Sequence, residues 1–137
     1  GLDKLITWYG QLPRVKAVKV FNSAHLHVIT SVSEGNPTTI WEAMSYGVPT
    51  MSFDHCGMHD TICDRCGIRV PIAKRYEDCV ADIARNIDEL LEHPERFHQL
   101  AHGVLECAKR YTWNEREKFL NEEIYVKAIE NHKHINN

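Results

Sequence analysis

Two glutamates eight positions apart, Glu34 and Glu42, flank a helix start in Ser31-Val32-Ser33-Glu34-Gly35-Asn36-Pro37-Thr38-Thr39-Ile40-Trp41-Glu42. Asn36 is a favourable N-cap, and Pro37 suits the first helical position, where its missing N–H costs nothing. The amides of Thr38 and Thr39 are then left without intrahelical partners at the positive end of a helix dipole, a ready site for phosphate. Glu34 falls in the preceding loop, and Glu42 falls one turn in, on the helix face of Thr38. Carboxylates are poor partners for phosphate and good acceptors for hydroxyl groups. The segment therefore predicts a ligand that carries phosphate and sugar together.

The flanking elements must hold this segment in place. Residues 5–9 read as a short strand closed by Gly10, with Trp8 and Tyr9 in the core. Residues 13–24 read as a helix, 26–30 as a buried strand, 37–46 as a helix stopped by Gly47 in the C′ position, and 48–53 as a strand. A short helix over 58–66 ended by Gly67 and a strand over 68–72 follow. Residues 77–92 carry Val80, Ile83, Ala84, Ile87 and Leu91 as an apolar stripe, and Pro94 opens a helix over 94–110. Thr112 and Glu115 form a capping box for a last helix to about Ile129, before a polar, frayed tail. Strands alternating with helices predict an α/β domain: a Rossmann-like, mainly parallel sheet with helices on both faces and a helical C-terminus. Ligands in such folds lie at the carboxyl ends of the strands, where the Glu34 loop falls.

At 137 residues, 43% hydrophobic and 26% charged, the chain reads as one ordered domain. A net charge of -3 gives no footprint for nucleic acid or an anionic membrane. No apolar run approaches the roughly 18–20 residues that a membrane span needs. Five cysteines, an odd number, fit reduced thiols and a cytoplasmic location. The chain opens at Gly1 without an initiator Met and is read as a piece of something longer.

The segment from 24 to 71 resembles the C-terminal half of the retaining, nucleotide-sugar-dependent glycosyltransferases of the GT-B fold. The matching motifs are Asn22-Ser23-Ala24, Val28-Ile29-Thr30-Ser31, Ser33-Glu34-Gly35, Trp41-Glu42-Ala43-Met44, Tyr46-Gly47-Val48-Pro49-Thr50 and Gly67-Ile68, with weaker similarity at Ile6-Thr7-Trp8-Tyr9-Gly10 and Tyr111-Thr112-Trp113. The resemblance implies that Glu34 contacts the donor sugar and that Glu42 binds the ribose. It also implies that Gly35, Asn36, Pro37, Thr38 and Thr39 cradle sugar and diphosphate, and that Gly10, Gln11 and Leu12 lie near the nucleobase. The donor is then a nucleotide-diphosphate sugar and the acceptor a saccharide or lipid-linked saccharide in polysaccharide, capsule or lipopolysaccharide synthesis. Retention in this family is described as front-face substitution without a protein nucleophile, so no cofactor and no metal are expected.

The resemblance further implies that residues 1–137 are a single partial donor-binding domain. The N-terminal acceptor domain and the first part of this domain, with the Arg and Lys that neutralise the diphosphate, would be absent, so the fragment alone should be inactive. In that family the last helix packs against the acceptor domain. Cys56-Gly57-Met58-His59-Asp60 replaces the usual Gly-Gly and Pro-Glu pattern, which leaves the acceptor side open. The alternatives are a nucleotide-sugar epimerase of related fold and a non-catalytic nucleotide-binding module.

His55, Cys56, His59, Cys63 and Cys66 invite a zinc reading, which would make the chain a zinc-stabilised interaction domain. A single C-x-x-C without a second pair favours packed thiols sharing a helix face. His25 and His27 share a strand face as structural or edge residues, and Trp41 reads as core rather than a base-stacking platform.

Overall fold

The computed structural model describes residues 2–135. Three strands, β1 (His27–Ile29), β2 (Thr50–Phe53) and β3 (Gly67–Val70), form a parallel sheet in the order β1-β2-β3. His27 pairs in register with Thr50, and Thr50 with Gly67, so the strand starts are level. Parallel neighbours need crossover connections. Here they are α2 (Thr38–Ser45) between β1 and β2, and α3 (Cys56–Thr61) between β2 and β3. Helix α1 (Arg14–Val20) precedes the sheet, and α4 (Tyr76–Glu92) and α5 (Pro94–Arg110) follow it.

β2 is central and buried at all four positions, as expected of a strand covered on both sides. Met51, Ile40, Met58, Val70 and Val104 are the most deeply buried large residues, so the core joins sheet, α2, α3 and α5. Gly47 ends α2 with φ +71, and its N–H donates to the Met44 carbonyl at 3.0 Å, the expected left-handed stop. Phe21 stacks on Tyr46 and meets His27 edge-on, which docks the end of the first helical segment beside β1.

Several expectations are corrected. Residues 5–9 form no strand, and Trp8 is 86% exposed rather than core, with Tyr9 also exposed. Strand propensity alone does not make a strand, and among the described residues β1 pairs only with β2, its outer edge not taken up by this run. The helix expected over 58–66 is α3, which begins at Cys56 and stops at Thr61. Gly67 is therefore not a helix stop but the first residue of β3. A Cβ there would stand 2.2 Å from the Thr50 carbonyl oxygen, so only glycine allows this strand approach. The buried face of α4 is Cys79, Ile83, Ile87 and Leu90, while Val80 and Leu91 are exposed. Ile83 and Ile87 of the expected stripe face the core, whereas Val80, Ala84 and Leu91 do not.

Thr112 caps α6 (Trp113–Phe119) by accepting from the Glu115 amide at 3.3 Å. A π-helical stretch, Leu120–Tyr125, then leads into α7 (Val126–Ile135), so the helix continues six residues beyond the expected end. Asn136 and Asn137 lie outside the described residues. Trp113, Phe119, Tyr125 and Ile129 along this arm are exposed. Among the described residues no helix is long and apolar enough to cross a membrane.

Candidate functional site

The chain leaves β1 at Ile29, runs through the Glu34 loop and enters α2. Glu34, Asn36, Pro37, Thr38 and Thr39, with Ile29 and Ser31, line a cavity of about 280 Å³ at the carboxyl end of β1. The expected cap is displaced by one residue. Pro37 occupies the N-cap position with no side-chain cap, and its carbonyl accepts from the Ile40 amide at 2.9 Å. Asn36 instead accepts from the Trp41 indole N–H at 3.3 Å. Trp41 packs its ring edge-on to Tyr111, with centroids 4.6 Å apart, and so ties α2 to the end of α5 as a packing residue.

With the side chain of Asn36 engaged there, the amides of Thr38 and Thr39 have no hydrogen-bond partner among the described residues. Both residues are exposed. The free donors and the dipole of the eight-residue helix α2 favour an anion at this point.

The loop is clamped from the neighbouring crossover. Gly57, in the first turn of α3, donates its N–H to the Glu34 carbonyl at 2.9 Å. A Cβ on Gly57 would stand 2.3 Å from the Gly35 carbonyl oxygen. Gly35 thus faces α3 and is not among the cavity-lining residues. Beside it, Cys56 holds a left-handed backbone, φ 48, and its Sγ lies 3.6 Å from the Ser33 hydroxyl. A non-glycine residue in that region is strained, and the strain falls where the β1 and β2 connections meet.

Glu42 lies outside the cavity lining. Its carboxylate pairs with the Arg14 guanidinium at 2.8 Å. Arg14 is largely exposed, and such a pair contributes about 0–1 kcal/mol, so ligand hydroxyls can replace it at little cost. Gly10, with φ +60, Gln11 and Leu12 form the irregular segment that leads to Arg14. The fold therefore groups Glu34 with Asn36, Pro37, Thr38 and Thr39. It brings the start of α1 to Glu42, but it does not bring Glu42 or residues 10–12 into the cavity lining.

Sequence reasoning missed Arg14, Gly57 and the backbone of Cys56. Arg14 looked like any solvated charge, and nothing in its 28-residue separation from Glu42 marks the pair. Gly57 did stand out as part of a departure from the family pattern. A larger cleft of about 650 Å³ lies between β3, α4 and α5, lined by Arg65, Arg69, Arg96 and Glu106 among others. It borders Gly67, at the amino end of the strands, where parallel sheets do not place ligands.

The cysteines fall in three places, and Cys79 lies buried on α4 apart from the other four. Cys56 is exposed beside the Glu34 loop, whereas Cys63 and Cys66 flank a turn before β3 and meet Cys107 of α5. Burial pushes the Cys63 thiol up. Hydrogen bonds from Cys107 and from the amides of Arg65 and Cys66 outweigh it and hold the pKa at about 7. Burial raises Cys66 to about 12.

The sequence profile of the glycosyl transferases group 1 family matches residues 1–103. A 57-residue stretch is 42% identical to the lipopolysaccharide 1,6-galactosyltransferase of Salmonella typhimurium, covering 39% of this chain and 16% of that protein. The backbone superimposes on sucrose-phosphate synthase from Thermosynechococcus elongatus with a TM-score of 0.72 at 20% identity, over 92% of this chain and 32% of that one. It also superimposes on the GtfA/B complex with a TM-score of 0.67 at 21% identity, over 77% of this chain and 22% of that one. The chain thus spans less than a third of the length of the relatives it matches. With 103 of its 137 residues matched by that one profile and its fold shared with these structures, the chain belongs to the group 1 glycosyltransferases of the GT-B fold.

Proposed function

We propose that this chain is the donor-binding part of a retaining hexosyltransferase. The whole enzyme moves a hexose from a nucleotide-diphosphate sugar to a saccharide or lipid-linked saccharide in polysaccharide, capsule or lipopolysaccharide synthesis. It works in the cytoplasm or at the inner face of the plasma membrane, with an N-terminal acceptor domain completing the cleft. The observation that carries this reading is that Glu34 shares one cavity with the unpartnered amide end of α2.

In this reading the Thr38 and Thr39 amides receive the diphosphate, and charge that builds on the leaving group strengthens those hydrogen bonds. Glu34 accepts hydroxyls of the sugar and fixes the anomeric carbon against the acceptor. Glu42 exchanges Arg14 for the two hydroxyls of the ribose, and the freed guanidinium stays beside the nucleoside. Residues 10–12, just ahead of Arg14, approach the base. The leaving diphosphate takes the proton of the attacking hydroxyl on the same face, so no side chain acts as nucleophile.

Steady-state kinetics of the full-length transferase test these roles. Glu34→Ala should lower kcat by about 100-fold, because its contact tightens at the reacting sugar. Glu42→Ala should chiefly raise the donor KM, by about tenfold, because ribose binding is the same before and during transfer. Negligible effects from both substitutions would refute the assignment.

A further inference from the structure

Three thiols meet at the amino-terminal end of the sheet, away from the Glu34 loop, and no step of the proposed transfer uses them. Cys63 and Cys66 flank a turn closed by the Cys66 and Gly67 amides, which donate to the Cys63 carbonyl at 2.9 and 3.1 Å. Cys107 arrives from the last turn of α5. The Cys63 Sγ lies 3.4 Å from Cys66 Sγ and 3.4 Å from Cys107 Sγ. All three sulfurs fall within 4.8 Å of one another. Cys66 and Cys107 are 3% and 2% exposed, and Cys63 is half-buried.

The surrounding chain is shaped to make this convergence. Gly103 lies one turn before Cys107 on the same face of α5, and a Cβ there would stand 1.8 Å from the Arg65 carbonyl oxygen. Only a glycine lets the helix close on the turn. From the other side, Arg69 of β3 donates to Asp64 at 2.7 Å and pins the turn's tip. The Cys63 amide donates to Cys66 Sγ at 3.3 Å. Amide donors aimed at sulfur favour thiolates and orient them as a second shell does around a metal. Three sulfurs bound to one zinc at about 2.3 Å stand about 3.8 Å apart in a tetrahedron, close to the spacing seen here.

We propose that Cys63, Cys66 and Cys107 form a binding site for a thiophilic divalent cation of the zinc class. The protein supplies three thiolates, and the fourth position, on the side of half-exposed Cys63, takes water or a small external ligand. Binding displaces the thiol protons to solvent and leaves sulfur oxidation states unchanged. The ion staples the end of α5 to the turn that starts β3, so its effect is on folding stability rather than on transfer.

Cadmium titration of the reduced, chelator-stripped protein tests this. One equivalent should bind, with a thiolate-to-metal charge-transfer band and a rise of several degrees in the unfolding midpoint, and zinc should compete for the same site. Cys107→Ser should weaken cadmium binding by about tenfold or more, while Cys56→Ser and Cys79→Ser leave it intact. Cys63→Ser, at the half-exposed member, gives the same loss and keeps the test decisive where a buried substitution prevents folding. The proposal is overturned by the absence of the band in the wild-type protein, or by a band that survives both Cys63→Ser and Cys107→Ser. Sulfurs that only form a disulfide, seen as a mass loss without metal, also overturn it.

Discussion

The two ends of the sheet are built on opposite principles. At the carboxyl end the chain leaves groups unsatisfied: free amides at Thr38 and Thr39, a carboxylate in a cavity, and Cys56 in a left-handed backbone. At the amino end, beside the larger cleft, the backbone itself is packed tight. Gly67 and Gly103 bring backbone against backbone, and Cys66 and Cys107 are buried under α5. The first arrangement holds polar groups ready for a ligand, and the second fixes the scaffold that keeps them in place. Stability should therefore respond most to the amino end, and donor binding to the carboxyl end.

The largest effect should come from Gly103→Ala. Alanine normally favours a helix interior by about 1 kcal/mol. Here its Cβ meets the Arg65 carbonyl, and the net loss should be about 3 kcal/mol or more, read as a drop of about 10 °C in the unfolding midpoint. A neutral result would mean that α5 can move off the turn, and the contrast between the two ends would fail.

Gly57→Ala addresses the other end. Its Cβ would push against the Gly35 and Glu34 carbonyls, and the Glu34 loop must shift. The donor KM of the full-length transferase should rise about tenfold, with a stability loss smaller than that of Gly103→Ala. Equal stability losses without a change in KM would place both glycines in the scaffold.

His27, at the start of β1, gives a pH signature of the amino end. Its Nδ1 lies 3.1 Å from the Thr50 hydroxyl, and burial lowers its pKa from 6.5, with Glu42 partly opposing. Because the folded pKa is depressed for a base, the unfolded chain takes up the proton first on acidification. Stability is full above about pH 6.5 and is lost as pH falls below it. Unfolding midpoints measured at about pH 7.5 and about pH 5.5 should show the decline, and His27→Gln should reduce it. The smallest effect belongs to Cys56→Gly. Relief of the left-handed strain should stabilise the protein by up to about 1 kcal/mol in chemical denaturation, and no gain would mean that surrounding contacts already offset the strain.

Local signals carried much of the fold. Gly47 stops α2, Pro94 opens α5 and Thr112 caps α6, each by chemistry confined to one turn of chain. Errors arose where a neighbour decided the outcome. Residues 5–9 have strand propensity but do not pair with the open edge of β1, and Gly67 resembles a helix stop because its close approach to Thr50 is invisible locally. The Glu34 cavity was legible because its loop and helix start are contiguous, although the Asn36 side chain was claimed by Trp41 instead of the cap.

Sequence alone determined the helix punctuation, the strand–helix alternation and the acidic, amide-rich segment from Glu34 to Glu42, because each depends on backbone preferences and spacings within a few residues. Only the tertiary structure decided that Arg14 covers Glu42, that Gly57 clamps the Glu34 loop and that Cys107 joins Cys63 and Cys66. Such partners are far apart along the chain and are brought together by sheet register and helix packing. No local periodicity encodes those distances.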